Sequence, residues 1–341
     1  MALQSSGPIS LANVNTELGV ASTTTRSLND AAVRTLFGVA SGAISMSSGY
    51  GKSNRAAISY TFSSSTADAS LNLSGLGGYV AGKTDFTVTI NSGVYLYATT
   101  TAGYGLNLSG ATTGDTVTIV NNGFIMGQGG TGSNVGLPGN APDVGGPALN
   151  IATGIGVTIN NTNGSAYIGG GGGGGNWGPS GGGGGGAGGG AGGGSSASGN
   201  PGGGAGGGIG SSGGNGTSTT SNGAGGGGGR VFPGAGGVSP VVASSSSFAV
   251  AAGVGGTGGG GGGSAATNKA SGQGGTGGSA NGNGANGTAY SGGGGGGWGA
   301  TGGSGGTTSG IGAAGGKAVN LNGNSVTWVS GNTSRVYGAV S

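Results

Sequence analysis

The sequence predicts a mostly β protein with much irregular chain. It has a small helical N-terminal module, a β-solenoid or β-sandwich repeat, and a polyglycine II helix bundle. Three observations lead there. Glycine fills 102 of 341 positions, where roughly 7% is usual. Charged residues make up only 4% while hydrophobic residues make up 32%, which is not the charged, apolar-poor composition of a disordered chain. Short segments alternate apolar and polar residues at period two, the spacing of a half-buried strand.

The same composition narrows the chemistry. Cysteine and histidine are both absent. Thiolate sites, disulfides, the commonest general base and the commonest metal ligand go with them. The net charge of +3 is spread thinly, and without a basic stripe nucleic acid is not an expected partner. No cofactor and no enzyme activity are expected. The start, Met1-Ala2-Leu3-Gln4-Ser5-Ser6-Gly7-Pro8, lacks the basic and apolar regions of a signal peptide. The expectation is synthesis in a cytoplasm without a secretion signal of its own; if the protein works outside, something else carries it there, and a virion is one such vehicle.

Residues 1–60 read as helical. Ser10 precedes Leu11–Leu18 and Gly19 follows, giving an N-cap, two turns and a terminating glycine. Ser27-Leu28-Asn29-Asp30 has capping-box form ahead of Ala31–Phe37, closed by Gly38. Leu28, Val33, Leu36 and Phe37 share a face. Two helices this short bury little alone, so that face is expected to pack on a neighbour and supplies the virion-docking candidates.

Residues 61–168 and 317–341 read as one β-repeat domain. Leu71-Asn72-Leu73, Leu106-Asn107-Leu108 and Leu149-Asn150-Ile151 form one half of the unit. Thr87-Val88-Thr89-Ile90, Thr116-Val117-Thr118-Ile119 and Val157-Thr158-Ile159 form the other. A fourth unit, Val319-Asn320-Leu321 with Ser325-Val326-Thr327-Trp328, closes the chain. Residues 169–316 are then one excursion, whose ends leave and re-enter the β domain side by side.

Within 169–316, glycine runs such as 169–175, 181–186 and 292–297 alternate with patches of other residues. A flexible linker avoids aromatic residues, and this segment has several; collagen needs glycine strictly at every third residue. Packed three-residue-per-turn glycine helices satisfy the composition. They have no internal hydrogen bonds, so each must pair sideways with its neighbours, which only glycine allows at that approach. The glycine runs become rods and the patches become turns at the two ends, where a rigid scaffold carries its function. The candidate receptor contacts there are Trp177, Arg230, Phe232, Phe248, Lys269, Tyr290 and Trp298. Arg230–Val250 is the largest patch. Trp177 and Trp298 each read either as a binding platform or as a cap on the glycine block.

Other motifs carry less. Gly77-x-x-x-x-Gly82-Lys83-Thr84 matches a phosphate-binding loop formally. A strand pattern follows it where a helix is required, so it reads as a β-turn. The six acidic residues are scattered, and a carboxylate pair could assemble in space only through the fold, from Asp85, Asp115 and Asp143 along the repeat.

The alternation of glycine runs with variable patches over residues 169–316 resembles the distal tail-fibre adhesins of T-even-type phages. The stretches Ile9-Ser10-Leu11, Asn15-Thr16-Glu17-Leu18-Gly19, Ser27–Arg34 and Ser47–Ser53 look similar to a segment recurring in phage structural proteins. The resemblance implies attachment to other virion tail proteins by the N-terminus. It also implies recognition of a bacterial surface receptor, an outer-membrane protein or a polysaccharide, at the glycine-rich tip. A homotrimer is left open. The rival readings are a purely structural virion component and an ice-binding protein.

Overall fold

The computed structural model describes residues 2–134, 141–178, 181–194, 202–207, 213–214, 216, 283–284, 286–287, 292–306, 310–329 and 335–341. Its strands wind in successive circuits. The first circuit is β1 (Ala56–Phe62), β2 (Thr66–Ala67) and β3 (Ala69–Asn72). The second is β4 (Thr84–Ile90), β5 (Tyr95–Tyr97) and β6 (Leu106–Ser109). The third is β7 (Thr116–Asn121), β8 (Phe124–Met126) and β9 (Leu149–Ala152). The fourth is β10 (Val157–Asn160), β11 (Tyr167–Gly169) and β12 (Val319–Asn320), and the last is β13 (Val326–Trp328) and β14 (Val336–Tyr337).

Each of the first four circuits adds one strand to each of three sheets, and the last adds one to the first two, giving the orders β1-β4-β7-β10-β13, β14-β11-β8-β5-β2 and β12-β9-β6-β3. Every pairing between these strands is parallel. The sandwich alternative, which packs antiparallel sheets, is therefore not what forms. The strand β1 also begins ahead of residue 60, inside the stretch that reads as helical in sequence.

Alternation sends one rank of side chains inward from each strand. Val88, Ile119 and Ile159 stack in register in the first sheet, and Leu108 lies beside Ile151 in the third. These join Leu96, Ile125 and Ile168 of the second sheet in one buried core. The register of the first unit differs from the sequence reading by two residues: Leu71 pairs with Leu108, and Val88 with Ile119. A two-residue slip leaves every side chain on its own face, so the period-two pattern could not detect it.

The outer faces differ in chemistry. Ser59, Thr87, Thr118, Thr158 and Thr327 form a rank of hydroxyls on the first sheet. On the third, the Asn150 amide donates to Asn107 Oδ1 at 2.8 Å, and the Asn320 amide to Asn150 Oδ1 at 2.9 Å. The second sheet carries stacked rings, with Tyr95 and Phe124 centroids 4.4 Å apart and nearly parallel at 5°.

The connection from the second sheet to the third lengthens with each circuit. It is Asp68 alone, then residues 98–105, then 127–148, then 170–318. The last two build a glycine array beyond the sheets. Along residues 170–176, Gly171 and Gly174 donate to Gly146 and Asp143, Gly172 and Gly175 to Ala187 and Gly184, and Gly173 and Asn176 to Ala300 and Gly303, at 2.7–3.0 Å. The carbonyls accept with the same period of three. Gly172 and Gly175 receive from Gly130 and Ser133, Gly173 and Asn176 from Gly296 and Gly293, and Gly171 and Gly174 from Gly316 and Ala313. One segment is thus surrounded by six others. The excursion's ends adjoin, since Gly316 N–H donates to Gly171 O at 2.7 Å.

Residues 127–134 and 141–148 belong to this array, although the repeat pattern alone assigns them to the β domain. The packing explains why glycine dominates. A Cβ on Gly171 or Gly174 would fall well inside 3.0 Å of the backbone at Gln128 or Thr131.

The N-terminal module has its own small core. Helix α1 (Leu11–Leu18) is capped by Ser10, whose Oγ accepts from Asn13 N–H, and Gly19 ends it in the left-handed region at φ 76°. Helix α2 (Ala31–Phe37) starts after Asp30, with no side-chain cap bond. The expected capping box at Ser27–Asp30 forms instead a local turn, in which Asp30 accepts from Ser27 N–H at 3.2 Å. The true box is Ser10 with Asn13.

Candidate functional site

The array has two ends. Residues 130–133, 170–176 and 300–303 run away from the sheets; 143–146, 184–187, 293–296 and 313–316 return. The register fixes these directions, because a partner number that falls as the donor number rises marks an antiparallel neighbour. Chain reversals therefore gather at two opposed faces. The near face holds Gly188, Gly189 and Gly299, each at positive φ. At the far face, toward the described ends of the outgoing segments, lie Asn134, Trp177, Gly194 and Gly305.

The two tryptophans that the sequence could not tell apart fall at opposite ends. Trp298 sits in the near reversal, 2% exposed, packed with Met126 and Ala187 beside Tyr97 and Tyr337. Gly169 leaves the space its ring fills. The platform reading of Trp298 is thus overturned: it fastens the array to the aromatic face of the second sheet. Trp177 sits in the far reversal and is half-buried. Gly178 and Gly181 close that reversal, Gly178 N–H donating to Gly181 O at 2.8 Å and Gly181 N–H to Gly178 O at 3.2 Å. Arg230, Phe232, Phe248, Lys269 and Tyr290 lie outside the described residues.

Asn176 anchors the far face, and Ser133 and Ile311 join it there. Neither of these two stands out in the sequence. Asn176 is 7% exposed and Ser133 is 1% exposed. Ser133 Oγ donates to Asn176 Oδ1 at 2.7 Å. Trp177 N–H donates to Ser133 Oγ at 2.7 Å and Asn176 Oδ1 at 2.9 Å. The Asn176 amide reaches Ile311 O at 3.4 Å, and the Ile311 side chain is 81% exposed. The spacing Gly127-x-Gly129-Gly130-x-Gly132 is the signal that residues before 169 also form part of the array.

The docking candidates on α2 are not presented outward. Val33, Leu36 and Phe37 are 0%, 7% and 2% exposed and pack with Leu3, Ile9 and Val14, while Leu28 is half-buried against them. Chain ahead of α1 supplies apolar residues that the two-helix reading does not count. The module meets the sheets through polar contacts. Glu17 accepts from Asn54 N–H at 2.8 Å and Ser53 Oγ at 3.1 Å, and Lys83 Nζ donates to Leu18 O at 3.4 Å.

The phosphate-loop match is a turn leading into β4, as its flanking pattern suggests. Thr84 N–H donates to Asp115 Oδ1 at 2.9 Å, so a carboxylate of the chain itself occupies the position a phosphate would need. Burial pushes the Asp115 carboxyl up, but the Thr112 and Thr84 N–H groups and the Tyr79 and Thr112 hydroxyls more than offset it, leaving its pKa below the ordinary value. Asp85 is held low chiefly by its hydrogen bond from Arg55, 2.7 Å away as an ion pair, with Thr116 also donating. Asp143 lies in the glycine array. Asp85 and Asp115 are each engaged by donors of the chain itself. Among the described residues no group of three or more acidic side chains is placed to hold a metal, and no helix is long and apolar enough to cross a membrane.

The family model of the phage tail fibre adhesin Gp38 matches residues 57–239. The chain belongs to that family. The match runs from β1 through β11 and into the glycine-rich chain, and β12, β13 and β14 lie beyond it. Across a solved structure, the gp37–gp38 adhesin tip complex of the bacteriophage S16 long tail fiber, identity is 19% and the TM-score 0.44, covering 99% of this chain and 100% of that one. No curated protein matches the chain in sequence.

Proposed function

We propose that this chain works in the virion tail as a receptor-binding tip. Its N-terminal side attaches to other tail fibre proteins, and turns at the far face of the glycine array bind a host cell-surface receptor. The observation that carries this is the two-ended array. Seven hydrogen-bonded segments form a block, and the non-glycine residues Ser133, Asn176, Trp177 and Ile311 lie together at its face opposite the sheets. Membership of the adhesin family supports it. The sheets are read as coils of a β-solenoid. The period-three, six-neighbour hydrogen bonding is read as a polyglycine II bundle, a three-residue-per-turn helix without internal bonds. The chain acts by binding and not by catalysis; its engaged carboxylates fit that role.

The test is adsorption. Phage carrying Trp177→Ala should adsorb to their host more slowly. A contact of hot-spot rank is worth about 2 kcal/mol, or roughly 30-fold in affinity. Particles in which residues 134–141, 177–181 and 305–311 are all replaced by Gly-Ser, and which still adsorb at the native rate, would rule the reading out.

A further inference from the structure

Asn176 is the first residue after an unbroken run of glycines, at the point where the array gives way to turns. A polar side chain 7% exposed among glycine backbones needs partners, and it has them on three segments. Its Oδ1 accepts from Ser133 Oγ at 2.7 Å and from Trp177 N–H at 2.9 Å, and its Nδ2 donates to Ile311 O at 3.4 Å. Ser133 closes the set by accepting from Trp177 N–H at 2.7 Å. The main chain of Asn176 is also held, N–H on Gly303 O and O under Gly293 N–H, at 2.9 and 2.8 Å.

These bonds bring together reversals far apart in sequence. One amide thus ties down the main chain of both large apolar residues described at this face, half-buried Trp177 and exposed Ile311. Glycine cannot do this, having no side chain to lock a turn. The array alone sets where its segments end, not how the next residue leaves.

We infer that Asn176, with Ser133, is a positioning residue pair that holds Trp177 and Ile311 as one preorganised apolar contact. This rests on the receptor reading above for its purpose, but not for its geometry. A contact fixed before binding loses less freedom when the partner arrives, so loosening it weakens adhesion without removing any contacting atom.

The test uses the full chain labelled with 5-fluorotryptophan, whose three fluorine lines report Trp177, Trp298 and Trp328 separately. Asn176→Ala and Ser133→Ala should each shift and broaden the Trp177 line and leave the Trp298 line in place. Asn176→Asp keeps the acceptor for Trp177 N–H and loses the donor to Ile311, and should restore most of the Trp177 line. If the Trp177 line stays put in both alanine variants, or if the Trp298 line moves with it, the local positioning role is overturned. In particles, Asn176→Ala should slow adsorption at least fivefold. Native adsorption by Asn176→Ala beside slowed adsorption by Trp177→Ala also overturns it. Native adsorption by Trp177→Ala instead sinks the receptor reading, and the fluorine line then decides the positioning role alone.

Discussion

Replacing Gly174 by alanine tests the array directly. At an ordinary open position this change stabilises a protein by about 0.4–1 kcal/mol, because it restricts the unfolded chain. Gly174 is not open: the new Cβ would land well inside 3.0 Å of the Thr131 carbonyl and close to Gly132 N, both backbone atoms with no rotamer to yield. The segments must separate. Gly174 N–H bonds Asp143 O at 3.0 Å, and its carbonyl takes Ala313 N–H at 2.9 Å. Losing or stretching both costs about 2 kcal/mol at about 1 kcal/mol net each, and overpacking adds roughly 1–3 kcal/mol. Against the entropic gain, the net destabilisation is about 2–4 kcal/mol. At roughly 2–4 °C per kcal/mol for a domain of 150–250 residues, calorimetry should record a drop on the order of 5–15 °C. Gly164→Ala is the control, since nothing lies within 4 Å of its Cβ position, and it should leave the melting temperature nearly unchanged or raise it slightly. A Gly174→Ala protein that melts at or above the native temperature would show the segments are not packed as described.

Three further outcomes follow from the same structure. Backbone amides of residues 171–176 should be protected from deuterium exchange, and exchange there at free-peptide rates would leave no array. Trp298→Ala should cost about 3–5 kcal/mol, because it empties a buried site joining array and sheets; a loss under ~1 kcal/mol in a denaturant titration would mean the ring is not the fastening. Asp85 and Asp115 both sit below their usual value of 3.8 in the folded chain. The unfolded chain therefore binds more protons as the pH falls, so stability should hold from neutral pH to about 5 and decline as the pH drops through 3.8 and below. Denaturant midpoints that rise as the pH is lowered from about 5 to about 3 would contradict that sign.

Much of the β region was legible because buried positions alternate strictly along β4, β7 and β10. Phe86, Val88 and Ile90 read the same way in sequence and in the sheet. The register was not legible, since a slip of two is silent in a period-two pattern. The helix α1 announced itself through Ser10 and Gly19. The docking face expected on α2 failed because Leu3, Ile9 and Val14 lie elsewhere along the chain, and only folding brings them over Val33 and Phe37.

Composition and local pattern alone determined that glycine backbones would have to pair with one another, that strands would stack, and that histidine and thiol chemistry were unavailable. These depend on residue type and near neighbours. The tertiary structure decided which end of the array each tryptophan occupies, and so why Trp177 lies half-buried at the far face while Trp298 is a buried fastening at the near one. In glycine context the two have the same local sequence character. What separates them is the hydrogen-bond register of seven segments, a long-range property that no local window contains.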